Sequence, residues 1–521
     1  MSRATTILRN VASNWVGVAV SAAVTLLLTP FVLHQLGEAR YGAWVLAGSI
    51  IGYYGLLDLG FCGGINQYLT RYLAARDYDK ASECISTALT LLSIVGAVCV
   101  VLTVGAAYIA PHVWNFPPNV EREAFWCILI VGLTSSVQFV FFPFMAVFTA
   151  TQRFDLSNLI GVSTRLLMAG SVYVALDMGY GLIGISAATC AATLVDYLIR
   201  WRVARGLVPQ IEVRTRLANR ARLREMVSFG SWTFLISVSG YVYMHAQPLL
   251  IGALMPIAAV GYYALATGLT QQIGSVLNPV GQVMYPAAAE MHMRDEHSAL
   301  QRLYRDGSRL MLLVVVSVVL VAALWADDFY RLWIGEKYLS GEPFPSVALL
   351  LRILLIGTLA GYTSNIAGQI LLGTGRVRLL AVSLICGAAL NLILTVTLIG
   401  PYGLIGVAAS VAISAVVVNV IGIPLLLQKA LGLPVKDLLL GACVRPMVLG
   451  LLLAIVLMCI RLTGRPNDWP HLLLHGMLAA VSVVALVLMV GVNTEERHRF
   501  VVRPIRRLLK KETAAPKANP R

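Results

Sequence analysis

The sequence predicts an all-α integral membrane protein: about fourteen transmembrane helices, arranged as two six-helix lobes related by a parallel pseudo-twofold repeat, plus two extra C-terminal helices. Three observations predict it. First, of 521 residues 58% are apolar and only 12% charged, with a mean hydropathy of +0.78. A soluble domain carries about 25% charged residues, so this chain has too little polar surface to cover a globule in water. A soluble enzyme is excluded, and so is a disordered chain. Second, apolar runs long enough to cross hydrocarbon follow one another with short polar breaks. Third, the run pattern repeats after roughly 220 residues.

The spans, in order, are 8–33, 41–70, 83–110, 123–149, 158–177 and 181–200, then 226–253, 259–286, 309–325, 345–372, 379–399, 403–427, 438–460 and 471–492. Lipid offers no water to backbone N–H and C=O groups, so runs of this length are helices. The first is too long for the apolar core of a cleavable leader and reads as a retained helix. The chain then divides into an N-lobe (1–205), a basic linker (206–225), a C-lobe (226–430), an appended helix pair (431–492) and a basic tail (493–521).

The repeat rests on three alignments. Tyr180-Gly181-Leu182-Ile183-Gly184 recurs as Tyr402-Gly403-Leu404-Ile405-Gly406, the segment from Thr151 matches that from Thr374, and the segment from Pro30 matches that from Pro248. Six is an even number of crossings, so both lobes enter from the same side and the repeat is parallel. Two such bundles enclose a cavity, and rocking one against the other gives alternating access. The glycines of Gly179–Gly184 also fit a dinucleotide-binding fingerprint, but that motif needs a preceding strand, and here it is a turn between spans.

Net charge is +15. Its placement argues for a membrane topology signal rather than nucleic-acid binding. With the N-terminus inside, 31 of the 40 basic residues fall on the cytoplasmic side and six outside. By the positive-inside rule both termini are cytoplasmic. The densest basic stretch, Arg200 to Arg224, holds eight arginines; it either touches anionic headgroups or is a solvated topology signal. The tail around Arg503, Arg506, Arg507, Lys510 and Lys511 is similar. The eight cysteines show no paired spacing and no histidine cluster, so no metal or redox cofactor is expected.

Ionisable groups inside spans are costly and mark function by default. Arg165 and Arg352 lack charged repeat mates, near Gly387 or Ala388 and near Ile130 respectively. They either face a central cavity and bind a phosphate through the planar guanidinium fork, or snorkel to headgroups. Asp58 is a protonatable coupling site, a mate for an arginine, or a cap at a helix break before Gly60, Gly63 and Gly64. His245 is a proton relay or a hydrogen-bonded packing residue. Arg445, next to Pro446, reads as structural, and Asp196 and Arg200 as snorkelling. Arg71 and Glu290 occupy equivalent repeat positions with opposite charge; they form a cytoplasmic gate or are unrelated interfacial charges.

The opening segment, Asn14 through Ala74, resembles the start of polysaccharide flippases, and the segments following Gly179 and Gly400 resemble their sixth and twelfth helices. The chain is similar throughout to O-antigen-type flippases of the multidrug/oligosaccharidyl-lipid/polysaccharide exporter superfamily. That resemblance implies a bacterial inner-membrane transporter, not an enzyme, that turns over a polyprenyl-pyrophosphate-linked glycan. A polysaccharide polymerase and chain-length proteins would be its partners besides membrane lipids. On this reading Arg165 and Arg352 hold the pyrophosphate, and Trp15, Tyr241 and Tyr243 either stack on sugars or are ordinary interfacial and core aromatics. The rivals are a multidrug extruder, a peptidoglycan-precursor flippase and, on the acidic residues of the loop at 326–344, a membrane polymerase or ligase.

Overall fold

In a computed structural model of the chain, the backbone is described for residues 3–58, 60–228, 231–432 and 435–491. The basic tail at 493–521 lies outside the described residues. Among those described the chain is helical, with no strand. The helices are α1 (Arg3–Gly52), α2 (Phe61–Ala74), α3 (Tyr78–Val113), α4 (Pro118–Ala150), α5 (Phe154–Asp177) and α6 (Gly181–Leu207). Next come α7 (Arg220–Ser228), α8 (Ser231–Leu254), α9 (Ala258–Gln282), α10 (Met284–Met293), α11 (His297–Leu324) and α12 (Ala326–Ile334). The last are α13 (Val347–Thr363), α14 (Asn365–Gly373), α15 (Val377–Ala415), α16 (Ile423–Leu431), α17 (Val435–Leu462) and α18 (Trp469–Leu486).

Among the described residues, eleven segments are long and apolar enough to cross a membrane, rather than the fourteen expected. The difference has local causes. Ser13–Asp58 and Val377–Leu431 each run through two expected spans, because the helix continues across the non-helical torsions at Gly37 (φ 73°) and Gly403 (φ 55°) with only a bend. The expected span at 259–286 becomes α9 followed by the short α10. The second expected span is itself broken: a 3-10 turn, Tyr53–Asp58, separates α1 from α2.

The repeat is visible in the backbone. Arg76 (φ 55°) and Asp295 (φ 54°) are left-handed 219 residues apart, Gln152 (φ 56°) and Gly375 (φ 74°) 223 apart, and Gly181 (φ 54°) and Gly403 (φ 55°) 222 apart. A non-glycine residue in this region is uncommon, so its recurrence at one drifting offset is hard to reach by chance. Just before the second pair, Thr151 and Thr374 each donate to the carbonyl four residues back, at 2.7 and 2.8 Å.

Contacts divide the chain into two compact units. One comprises Met1–Asn278, Trp333–Gly357 and Arg376–Val418; the other comprises Pro279–Leu332, Thr358–Gly375 and Asn419–Arg521. Within the second, α11 packs on α17. Buried Asp328 there takes a bond from Arg331 (3.2 Å), which also donates to the Pro466 carbonyl (2.6 Å). The loop at 326–344 is therefore partly the helix α12, tied down by its own charges.

Within the first unit, α2, α3 and α4 share an apolar core built on Ile65, Leu69, Ile85, Leu92 and Phe148. The basic linker is docked on it. The backbone N–H groups of Glu212, Arg214 and Asn219 donate to the hydroxyls of Ser82 (3.0 Å), Ser86 (3.2 Å) and Thr87 (2.9 Å) on α3. Arg222 reaches Glu83 at 3.1 Å and the Tyr72 hydroxyl at 2.8 Å. Val208, Ile211, Val213 and Leu223 close the apolar underside. Arg200 is likewise drawn inward rather than snorkelling: it pairs with Asp196 at 2.6 Å and donates to Ser157 on α5 at 2.8 Å.

Glu83→Ala should therefore release the linker. The lost charge-assisted bonds are worth about 1.5–3 kcal/mol, read as a lower melting temperature together with faster tryptic cleavage after Arg214 and Arg216. Unchanged cleavage would mean that the hydroxyl contacts alone hold the segment.

Candidate functional site

Arg165 lies eleven residues into α5, about 16 Å along the axis at 1.5 Å per residue. Its stripe, at seven-residue spacing, runs through Asn158, Arg165 and Val172. Asn158 bonds to Ser13 (2.8 Å) and Asn14 (2.6 Å) of α1, and Val172 is 1% exposed. The neighbouring stripe of Leu159, Leu166 and Tyr173 is the broadly exposed one, at 62%, 53% and 52%. Arg165 thus sits on the side of α5 that meets α1 at Asn158, on a stripe that closes again at Val172, yet it is itself exposed. Among the described residues its side chain makes no hydrogen bond or ion pair. Helical periodicity placed it in a span; only the packing shows which way the stripe faces.

Arg352 has a different setting. It is half-buried on α13, five residues in from Val347, and it lies on the same face as exposed Leu349 and Ile356. From there its side chain is within snorkelling reach of the helix end. The two arginines stand on separate helices in unlike surroundings.

Asp58 ends the 3-10 turn, and its carboxylate accepts the Cys62 backbone N–H at 2.7 Å. It therefore closes the N-terminus of α2, where the first N–H groups have no partner within the helix. His245 packs among rings and backbone. It stacks on Tyr241 (centroids 6.0 Å apart, planes at 19°), lies 6.0 Å from the Tyr53 ring, and rests against Gly52. Tyr241 lies against Gly55, and Tyr243 donates to the Val411 carbonyl at 3.2 Å. A side chain at Gly52 or Gly55 would overlap these rings, so the α1–α8 approach needs glycine there. Trp15 is 48% exposed. Glu290 pairs with Arg294 one turn on, at 2.8 Å, and Arg71 is exposed in the last turn of α2.

Sequence reasoning missed a buried neutral network between α8 and α15. Gln247 donates to Asn391, Asn391 to Ser414 (3.2 Å), and Thr395 and Ser410 are 2.7 Å apart. All five are at most 2% exposed. The available signal was four-residue spacing of polar groups in apolar runs: Asn391 with Thr395, and Ser410 with Ser414.

A second missed cluster closes the end of the first unit opposite the linker. Glu38 meets Lys337 (2.7 Å) and the Tyr262 hydroxyl (3.2 Å). Burial first, and then the Glu38 carboxylate, push the Tyr338 phenol up, so it stays neutral and can donate. Arg40 holds Glu123 through two bonds of 2.8 Å. Trp114 donates to the Leu249 carbonyl (3.0 Å) and Trp333, 219 residues on, to that of Leu26 (2.6 Å). Each tryptophan thus crosses from one half of the repeat to the other. Gly42 lies directly on the Ile257 carbonyl.

Residues 37–343 match the family described as "Polysaccharide biosynthesis protein". The chain belongs to that family. It is 20% identical over 498 residues to the uncharacterized membrane protein EpsK of Bacillus subtilis, covering 95% of this chain and 97% of that one. It is also 20% identical over 420 residues to a putative O-antigen transporter of Shigella flexneri, covering 79% and 95%. Among solved structures, the lipid II flippase MurJ in an inward closed conformation superimposes with a TM-score of 0.68 at 12% identity, covering 96% of this chain and all of that one. The chain is thus a multi-pass membrane transporter of the flippase type and not an enzyme, as the opening segment implied.

A cap and a coupling carboxylate respond differently to substitution. Asp58→Asn keeps a good cap and should leave both stability and transport near wild type, whereas Asp58→Ala should cost about 1 kcal/mol in unfolding by denaturant. Loss of transport in Asp58→Asn at unchanged stability would assign the carboxylate to coupling instead.

Proposed function

We propose that this transporter moves a polyprenyl-pyrophosphate-linked oligosaccharide across the bacterial inner membrane for polysaccharide or lipopolysaccharide assembly, by alternating access of the two repeat halves. The observation that carries the proposal is Arg165. A guanidinium that deep in a span, with no counter-charge among the described residues, requires water or an anion. A pyrophosphate supplies two phosphates for a fork that binds them bidentately. The glycan head cannot enter hydrocarbon unaided, so it needs a wet path, while the polyprenyl tail stays in lipid. Arg352 serves as a second, more superficial anion contact. A polysaccharide polymerase and chain-length proteins are the partners that such a supply would serve.

Lysine and arginine placement puts the linker in the cytoplasm, and the end closed by Glu38, Trp114 and Trp333 then faces outward. The structure on this reading is shut on the outside, and opening it separates α1 from α8 and α9.

Translocation of a labelled polyprenyl-pyrophosphate glycan in vesicles tests the site. Arg165→Ala should lower the initial rate about tenfold or more, and Arg165→Lys, which keeps the charge but not the fork, should retain part of it. A wild-type rate in Arg165→Ala would remove the assignment.

The closed end has its own test. Gly42→Val cannot seat against Ile257, so it should lose transport and raise the labelling of an Ala47→Cys thiol by a water-soluble maleimide. Protection equal to that in the Gly42 background would show that this contact does not set closure.

A further inference from the structure

We propose that the linker end of α6, with the segment that follows it, is a docking site for anionic phospholipid headgroups. The eight arginines from Arg200 to Arg224 are sorted into two sets. Arg200 and Arg222 turn inward and are held by Asp196, Ser157, Glu83 and Tyr72. Arg202, Arg205, Arg214, Arg216, Arg220 and Arg224 are exposed. Two carboxylates of the segment stand against those six: Glu212, which lies 3.1 Å from Arg214 and is largely exposed, and Glu225, next to Arg224 in the sequence. The fold uses the first pair and leaves the other six exposed.

The surroundings of Arg202 and Arg205 select a lipid over an acidic protein. Val195, Leu198 and Ile199 are exposed on α6 at 37%, 52% and 39%. Arg202 falls four residues beyond Leu198 and seven beyond Val195, and Arg205 seven beyond Leu198, so an apolar face runs without interruption into two guanidinium groups. An acyl chain lying on that face carries its phosphate to the arginines. Trp201 stands beside them with Arg205 5.2 Å above its ring, an aromatic and a cation at the level where headgroups meet hydrocarbon. Next to Arg205 an apolar cleft is lined by Val147, Ala204, Val208 and Ile211.

The site is also pre-organised. Three backbone N–H groups of the linker are pinned to α3 hydroxyls, so Arg214 and Arg216 are carried on an ordered backbone and little ordering remains to be done on binding. Guanidinium groups suit phosphate oxygens through paired donors, and a polybasic surface at this level attracts an anionic leaflet.

Native mass spectrometry of the full chain from mixed micelles of phosphatidylglycerol and phosphatidylcholine tests this. The wild type should retain phosphatidylglycerol in preference to phosphatidylcholine. Arg202→Gln/Arg205→Gln should lose that preference by about tenfold, since two of the charges nearest the apolar face are gone. Arg465→Gln, at the opposite end of the charge distribution, should not change it. Inorganic phosphate at the same concentration should not displace the lipid; if it does, the site reads free phosphate. An acidic peptide that displaces it equally well would assign the surface to a protein partner. A second measurement needs no variant: photoactivatable phosphatidylglycerol should crosslink to residues 195–216 of the wild type. Crosslinks confined to other segments, or an unchanged preference in the double variant, would overturn the proposal.

Discussion

A polar group in hydrocarbon must find a partner, and this chain is organised around that demand. Along its spans, hydroxyls donate to the carbonyl one turn back: Thr103 to Cys99, Ser136 to Gly132, Ser186 to Leu182 and Ser317 to Leu313, at 2.7–2.8 Å. Longer side chains are paired across helices, as in the Gln247–Asn391–Ser414 network. Such ties cost little, because a hydroxyl back-bonded to its own helix leaves no donor unmet. Among the described residues Arg165 makes no such bond, although it lies within a span. The demand is not met everywhere: the buried hydroxyls of Tyr304 and Ser308 on α11 also have no partner there.

The repeat explains the architecture but not the site. Left-handed residues recur at Arg76 and Asp295, at Gln152 and Gly375, and at Gly181 and Gly403, so both halves enter and leave their turns in the same way. Trp114 and Trp333 carry the relation further, each reaching from its own half into the other. Positions required by the shared fold come in pairs. Arg165 does not: its counterpart falls at Gly387 or Ala388. On the proposed reading, that asymmetry belongs to a task performed by one half alone.

Class and span positions were legible because hydrocarbon imposes them on composition. Apolar run length gave helices, and the unevenness of Lys and Arg gave a topology. The turn after Gly179 was legible because only a break in the apolar run places tyrosine and glycine there. What escaped was set by contacts between segments far apart in sequence. Nothing local to Glu38 announces Lys337 or Tyr262, and nothing in Gly42 announces the Ile257 carbonyl. Asp58 was left open among three roles, because a carboxylate beside glycines has the same local sequence whether it titrates or caps; the structure adds the bond from the Cys62 N–H, which the capping role needs. The fourteen expected spans and the eleven described segments differ chiefly where Gly37 and Gly403 bend a continuous helical run, so that one segment covers two expected spans.

The closed end sets an energetic condition on the cycle. On the proposed reading, opening it breaks two tryptophan–carbonyl bonds, the Glu38 contacts and the close approach of Gly42 to Ile257, all of which tie one half of the repeat to the other. A ligand shifts such an equilibrium only by the difference in its affinity for the two states, and one that binds both equally shifts nothing. Arg165 meets this condition if the gap on the α1-facing stripe of α5 differs between states. The segment of α1 before the Gly37 bend carries Ser13 and Asn14 against Asn158 of α5, seven residues from Arg165 on the same stripe, and the segment after it carries Glu38 and Gly42 at the closed end. On the proposed reading, the bend at Gly37 links the segment beside Arg165 to the segment in the seal, and a change in its angle would couple anion binding to opening.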